Sequence, residues 1–213
     1  MFFENKIPLF LPITGIAIVF VIIVIVIISI LVKNINKKRY KTMFLNVETV
    51  LKKVVAQDPE NSNLNKIEYA NKKAPRLPYD YILDTKSYRY YVKVVPNFGG
   101  YEICVNNSVK WQIRKTFNDE SMNFVPEIEE LMRLELPKDD ETREARKLYI
   151  IYPGARSLLR YINECEMEFV HPNTDVYGTN IMTYNDLDEN IDFIPREHEV
   201  KEKNKNTQLS LKI

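Results

Sequence analysis

Side chains able to do chemistry are scattered along this 213-residue chain. Asp186, Asp188, Asn190 and Asp192 occupy alternate positions, with Glu197 at the twelfth place of the run. That spacing imitates a calcium loop, which needs oxygen ligands at alternate positions and a glycine sixth for its sharp turn. Ile191 stands sixth and Pro195 falls inside, so the run reads as a solvated acidic loop. Cys104, Cys165, His171 and His198 do not make zinc-ligand spacing. The two cysteines read as buried, reduced thiols, and His171, before Pro172, as a strand end. Tyr152-Pro153-Gly154-Ala155-Arg156 offers backbone amides at a predicted helix start, where anions bind. With its lone glycine it reads as an ordinary strand-to-helix turn. Lys110, Arg114 and Lys115 flank Trp111 and read as a solvated helix face with the indole turned inward.

None of these sets names a reaction. The strongest signal is an apolar run from Ile7 to Val32 without one charged residue. A helix needs about 20 apolar residues to cross a bilayer core of roughly 30 Å. The run is too long for a secretory signal and no Ala-x-Ala site follows it. Lys33, Lys37, Lys38, Arg39 and Lys41 follow instead. Basic residues beside a span favour the cytoplasmic side. The expectation is an uncleaved single-pass anchor in the cell membrane, with residues 1–6 outside and the body cytoplasmic. The basic flank would then meet anionic headgroups, at about 1 kcal/mol per cation. The whole chain carries a net charge of +1. A body so close to neutral is no strong electrostatic trap for nucleic acid.

The elements that must position any site follow from periodicity. Residues 33–57 read as a basic segment running into an amphipathic helix, with Met43, Phe44, Val47, Val50, Leu51, Val54 and Val55 on one stripe. Asp58-Pro59 ends it, and 58–78 reads as a linker. An α/β domain is expected over 79–172. Tyr79–Leu83, Tyr88–Val95 and Tyr101–Val105 read as a three-stranded meander. Asn97-Phe98-Gly99-Gly100 is the turn signal before its third strand. A helix over Ser108–Phe117, a helix over Pro126–Leu136, a strand over Lys147–Tyr152, a helix over Ala155–Glu164 and a strand over Met167–Val170 complete it. Residues 173–195 read as an acidic extension and 196–213 as a disordered tail. The fold class is therefore α/β (α+β), a mixed sheet behind one membrane helix.

This order of elements, over roughly Met43 to Val170, resembles the core of the PD-(D/E)xK restriction-endonuclease-like superfamily. The resemblance implies a divalent metal, Mg²⁺, held by an Asp and an acidic residue, with a Lys polarising the attacking water. The corresponding strand is Tyr91-Val92-Lys93-Val94-Val95. With Lys93 as the catalytic lysine, Tyr91 stands where the acid belongs. With Lys93 at the acid position, Val95 stands where the lysine belongs. The signature is broken either way. Asp84, or Asp80, matches the family's Asp, and Glu102 would be a relocated acid. Two functions follow as expectations. One is a non-catalytic interaction or scaffolding module without a cofactor, whose partners are the bilayer and a protein. The other is a membrane-tethered nuclease using Asp84, Lys93, Glu102 and Mg²⁺ on nucleic acid.

Overall fold

The computed structural model describes residues 10–67, 77–107, 110–115, 123–124, 126–136, 143–163, 166–172 and 174–197. Expectations for residues 1–6, Cys165, His198 and the tail beyond Glu197 lie outside them. The chain divides into two compact units, Met1–Thr42 and Met43–Ile213.

Helix α1, Phe10–Gln57, begins in the first unit and ends in the second. Its large apolar side chains from Ile18 to Val32 are uncovered on every side, from 36% exposed at Val24 to 66% at Phe20. This is a helix long and apolar enough to span a membrane. From Met43 onward the pattern changes to one buried stripe of Met43, Val47, Val50, Leu51 and Val54 at spacings of three and four. On the solvent side Glu48 accepts from Lys52 at 2.7 Å and from Lys66 at 2.6 Å, and these two ammonium groups hold its carboxyl below the usual range.

The second unit continues with strands β1 (Asn63–Lys66), β2 (Tyr81–Asp84), β3 (Tyr88–Pro96), β4 (Glu102–Val105), β5 (Trp111–Arg114) and β6 (Asn123–Phe124). Then come α2 (Pro126–Arg133), β7 (Glu144–Tyr152), β8 (Leu158–Tyr161), β9 (Met167–Phe169), β10 (Thr179–Thr183), α3 (Tyr184–Glu189) and a 3-10 turn at Ile191–Phe193. They form two five-stranded sheets, ordered β1-β2-β3-β7-β10 and β6-β5-β4-β8-β9. β3, β7 and β10 run parallel; β4 and β8 are also parallel neighbours.

The first sheet is buried on both faces, as parallel strands require. Tyr90, Val92, Leu148, Ile150 and Met182 pack against the Met43–Val54 stripe. Tyr91, Val95, Tyr149, Ile151 and Ile181 point the other way, onto Ile103, Val105, Trp111 and Leu158 of the second sheet. Trp111 meets Tyr149 with ring centroids 4.9 Å apart. The α+β class read from the sequence holds, with its mixed sheets behind one long apolar helix.

Several elements differ from the sequence reading. In place of the expected Ser108–Phe117 helix, Trp111–Arg114 form β5, which pairs with β4 and turns Trp111 and Ile113 to the core. The Ala155–Glu164 helix is replaced by β8. A helix would bury Ile162 with Leu158 and Leu159; instead Ile162 is 56% exposed. No strand-helix-strand crossover links β7 to β9, because they lie in different sheets. The third member of the meander is β1, inside the expected linker, while β4 leaves for the second sheet. The acidic extension is core: Val176, Ile181, Met182, Leu187 and Ile194 are buried. Tyr177 and Gly178, both at positive φ, make the tight turn that starts β10. Thr183 and Asp186 form a capping box on α3, so the calcium-like spacing serves a helix start.

β3 and β7 end side by side, with Pro96 opposite Tyr152, and both chains then pass to the second sheet as neighbours β4 and β8. Asn97 ties the two crossings together. Its backbone N–H donates to Tyr152 O at 2.7 Å. Its amide donates to Tyr101 O at 2.8 Å and Gly154 O at 2.9 Å, and its side-chain oxygen accepts from Tyr101 N–H at 3.1 Å. A Cβ on Gly99 would fall 2.2 Å from the Tyr101 ring, which would have to move to admit it. Asn97→Ala leaves three part-buried backbone groups without their side-chain partner and is expected to cost about 1–3 kcal/mol. The check is urea unfolding of the full chain in micelles, followed by emission of its one tryptophan, Trp111. A loss under about 0.5 kcal/mol would reduce Asn97 to an ordinary surface turn residue.

Candidate functional site

The hairpin β2–β3 places the first candidates. Its register sets Asp84 opposite Arg89, and Arg89 Nε donates to Asp84 Oδ1 at 2.6 Å. Nη2 of the same guanidinium reaches the other carboxylate oxygen at 3.3 Å. Asp84 is buried and held in this fork, a geometry that suits a carboxylate well. Asp80 lies just before β2. Its Oδ2 accepts from Val94 N–H at 2.9 Å, and its Oδ1 stands 3.6 Å from Lys93 Nζ.

Lys93 shares a face of β3 with Tyr91 and Val95, which point at the second sheet. Its side chain is only 14% exposed and that of Asp80 17%. Asp80 and Lys93 are therefore brought together. Asp84 is not part of that pair: its partner Arg89 precedes Lys93 by four strand residues, about 13 Å. Glu102 lies in the second sheet, on β4, and pairs with Arg114 across the β4–β5 ladder. Its second oxygen accepts from Ser157 Oγ at 2.6 Å.

The Asp84, Lys93, Glu102 set expected from the resemblance is thus distributed over three separate ion pairs. Among the described residues no three His, Cys, Asp or Glu side chains converge where a metal ion would sit. Asp80 offers one carboxylate, and the ammonium beside it repels a cation. These residues do not fit the Mg²⁺ centre the resemblance implies, and no metal step is derived from them. What the Asp80–Lys93 pair does is neutralise a half-buried amine and satisfy a strand N–H.

The other sequence candidates also resolve. Cys104 is buried in β4, and burial pushes its thiol up to about 11, the opposite of an activated nucleophile. The Pro153–Ala155 segment starts no helix; its Gly154 and Ala155 line an open pocket of about 330 Å³ with Leu158, Val170 and His171, His171 itself being exposed. Trp111 does turn inward, but from a strand. Sequence reasoning missed Lys147. Its Nζ donates to Met132 O at 2.6 Å, and burial holds its amine below the usual lysine range. The signal was its alternation with Tyr149 and Ile151 on β7. The basic flank Lys33, Lys37, Lys38, Arg39 and Lys41 lies on α1, and the side chains there are exposed.

A structural role for the Asp80–Lys93 pair has a measurable signature. Asp80→Ala strands the Val94 N–H and the Lys93 amine and is expected to cost about 1–3 kcal/mol. Lys93→Met, which keeps the packed stem, is expected to cost under about 1 kcal/mol. Equal losses from the two, by urea unfolding of the full chain in micelles, would contradict this division of labour. No protein-family model matches the chain, and no significant similarity to a curated protein or a solved structure is found.

Proposed function

We propose that this chain is a single-pass membrane protein whose body lies on the cytoplasmic side and serves as a non-catalytic interaction module. The observation that carries the reading is the Ile18–Val32 stretch of α1, whose large apolar side chains are exposed all round the helix among the described residues. In water that surface is costly at about 25 cal/mol per Å²; in a bilayer core it is not. The five cations that follow support a cytoplasmic body, since basic residues flanking a span are retained on that side.

The non-catalytic part rests on the state of the candidate residues. Asp80, Asp84, Lys93 and Glu102 each spend their charge on a neighbouring residue of the fold. A general base or metal ligand needs oxygens aimed at a common point. A near-neutral chain whose candidate charges are paired locally suits recognition of another protein better than capture of a polyanion.

Four outcomes are expected. The full chain stays in the membrane through alkaline carbonate extraction. Asn5→Cys is labelled by an impermeant maleimide in intact cells, whereas Glu60→Cys needs permeabilised ones; the reverse pattern would put the body outside. Purified full chain leaves single- and double-stranded DNA and RNA intact with either Mg²⁺ or Mn²⁺. Cleavage that Lys93→Ala and Asp80→Ala abolish would replace the module by the membrane-tethered nuclease. Chemical crosslinking in native membranes is expected to trap a stoichiometric protein partner.

A further inference from the structure

Several charges of the body are held in local ion pairs. From Ile7 through Val47 the sequence contains no Asp or Glu. Lys33, Lys37, Lys38 and Lys41 are exposed on α1, and no ion pair to any of them occurs among the described residues. At 3.6 residues per turn, these four fall within an arc of about 140° around the helix. Lys33, Lys37 and Lys41 form a column at successive i, i+4 steps, rising about 12 Å in all. Arg39 lies off this arc, and so does Ile35. Like charges at i, i+4 spacing repel one another and weaken an isolated helix. A column of this kind is stabilised when anions stand against it. The column starts at the residue directly after the last apolar one, Val32. Lysine stems are long enough to lie along the helix and deliver each ammonium to the phosphate level.

Resting on the membrane reading above, we infer that this one-sided lysine column binds anionic phospholipid headgroups of the leaflet on the body's side. The helix would then collect anionic lipid along one flank rather than as a uniform ring. Recognition is by phosphate charge, so the bound group is a lipid phosphodiester carrying a net negative headgroup. A zwitterionic headgroup brings its own cation against the lysines and gains little.

The test uses the full chain reconstituted in phosphatidylcholine vesicles. They contain, at one mole fraction, either photo-activatable phosphatidylglycerol or photo-activatable phosphatidylcholine. Crosslinking is expected to favour phosphatidylglycerol by about fivefold or more, the ratio that one surface lysine's attraction amounts to. In about 1 M salt, where screening acts within about 3 Å, the ratio falls towards one. It also falls towards one when Lys33→Gln, Lys37→Gln, Lys38→Gln and Lys41→Gln are combined. Lys33→Arg, Lys37→Arg, Lys38→Arg and Lys41→Arg together keep it. Equal crosslinking in the wild type, or a preference that survives the combined Lys→Gln changes, would falsify the inference. Inorganic phosphate added at constant ionic strength is expected to leave the ratio unchanged. A preference that it erases would assign the lysines to free phosphate and overturn the lipid assignment. Carbonate extraction of the same vesicles keeps the two readings apart. A chain released by carbonate refutes the span itself; a retained chain with equal crosslinking refutes only the lipid preference.

Discussion

Everything in the body depends on two strands leaving one sheet together. β3 and β7 are parallel neighbours in the first sheet, and β4 and β8, which follow them, are parallel neighbours in the second. The Tyr88–Tyr152 ladder can keep its register only if both crossings turn over the same edge at the same level. Pro96 and Pro153 close the strands, since neither can donate to a further rung. Asn97 then satisfies backbone groups of both crossings with one amide. A short polar side chain is needed there because both connections are too tight to solvate their own carbonyls. The core between the sheets, with Trp111 on Tyr149, is a consequence of that shared turn.

The legible part of the fold was the part whose pattern is long or one-sided. The apolar span, the Met43–Val54 stripe, α2 and the nine-residue strands β3 and β7 all announce themselves by period and length. β5 did not, because four residues with one charge and a tryptophan are too short a run to separate a strand from a helix. β8 was harder still. Leu158 and Leu159 are adjacent and both buried, and a strand covered on both faces looks like a helix to any periodicity argument. β10 was hidden by composition: Thr179, Asn180 and Thr183 are polar yet buried.

The site was half legible for the same reason. Asp80 and Lys93 stand out by type, and the structure sets them side by side. Their isolation from Asp84 depends on hairpin register, which sequence does not print. The partner of Glu102 is Arg114, and that pairing exists only because β5 is a strand. Reading β5 as a helix left Glu102 looking free for chemistry. The residues read against that motif are the ones the fold employs in local ion pairs.

The order of α1 and the central ladder in the chain also has a kinetic meaning. A parallel pair such as β3–β7 needs its second strand before it can form at all, and some fifty residues separate the two, so such pairing is slow. The apolar stretch of α1 precedes both. During synthesis, at about 5–20 residues per second, it emerges seconds before the end of β7. A helix long and apolar enough to enter a bilayer is therefore available while the body is still an unpaired chain. The proposed anchoring would make folding of this domain a tethered event rather than one in free solution.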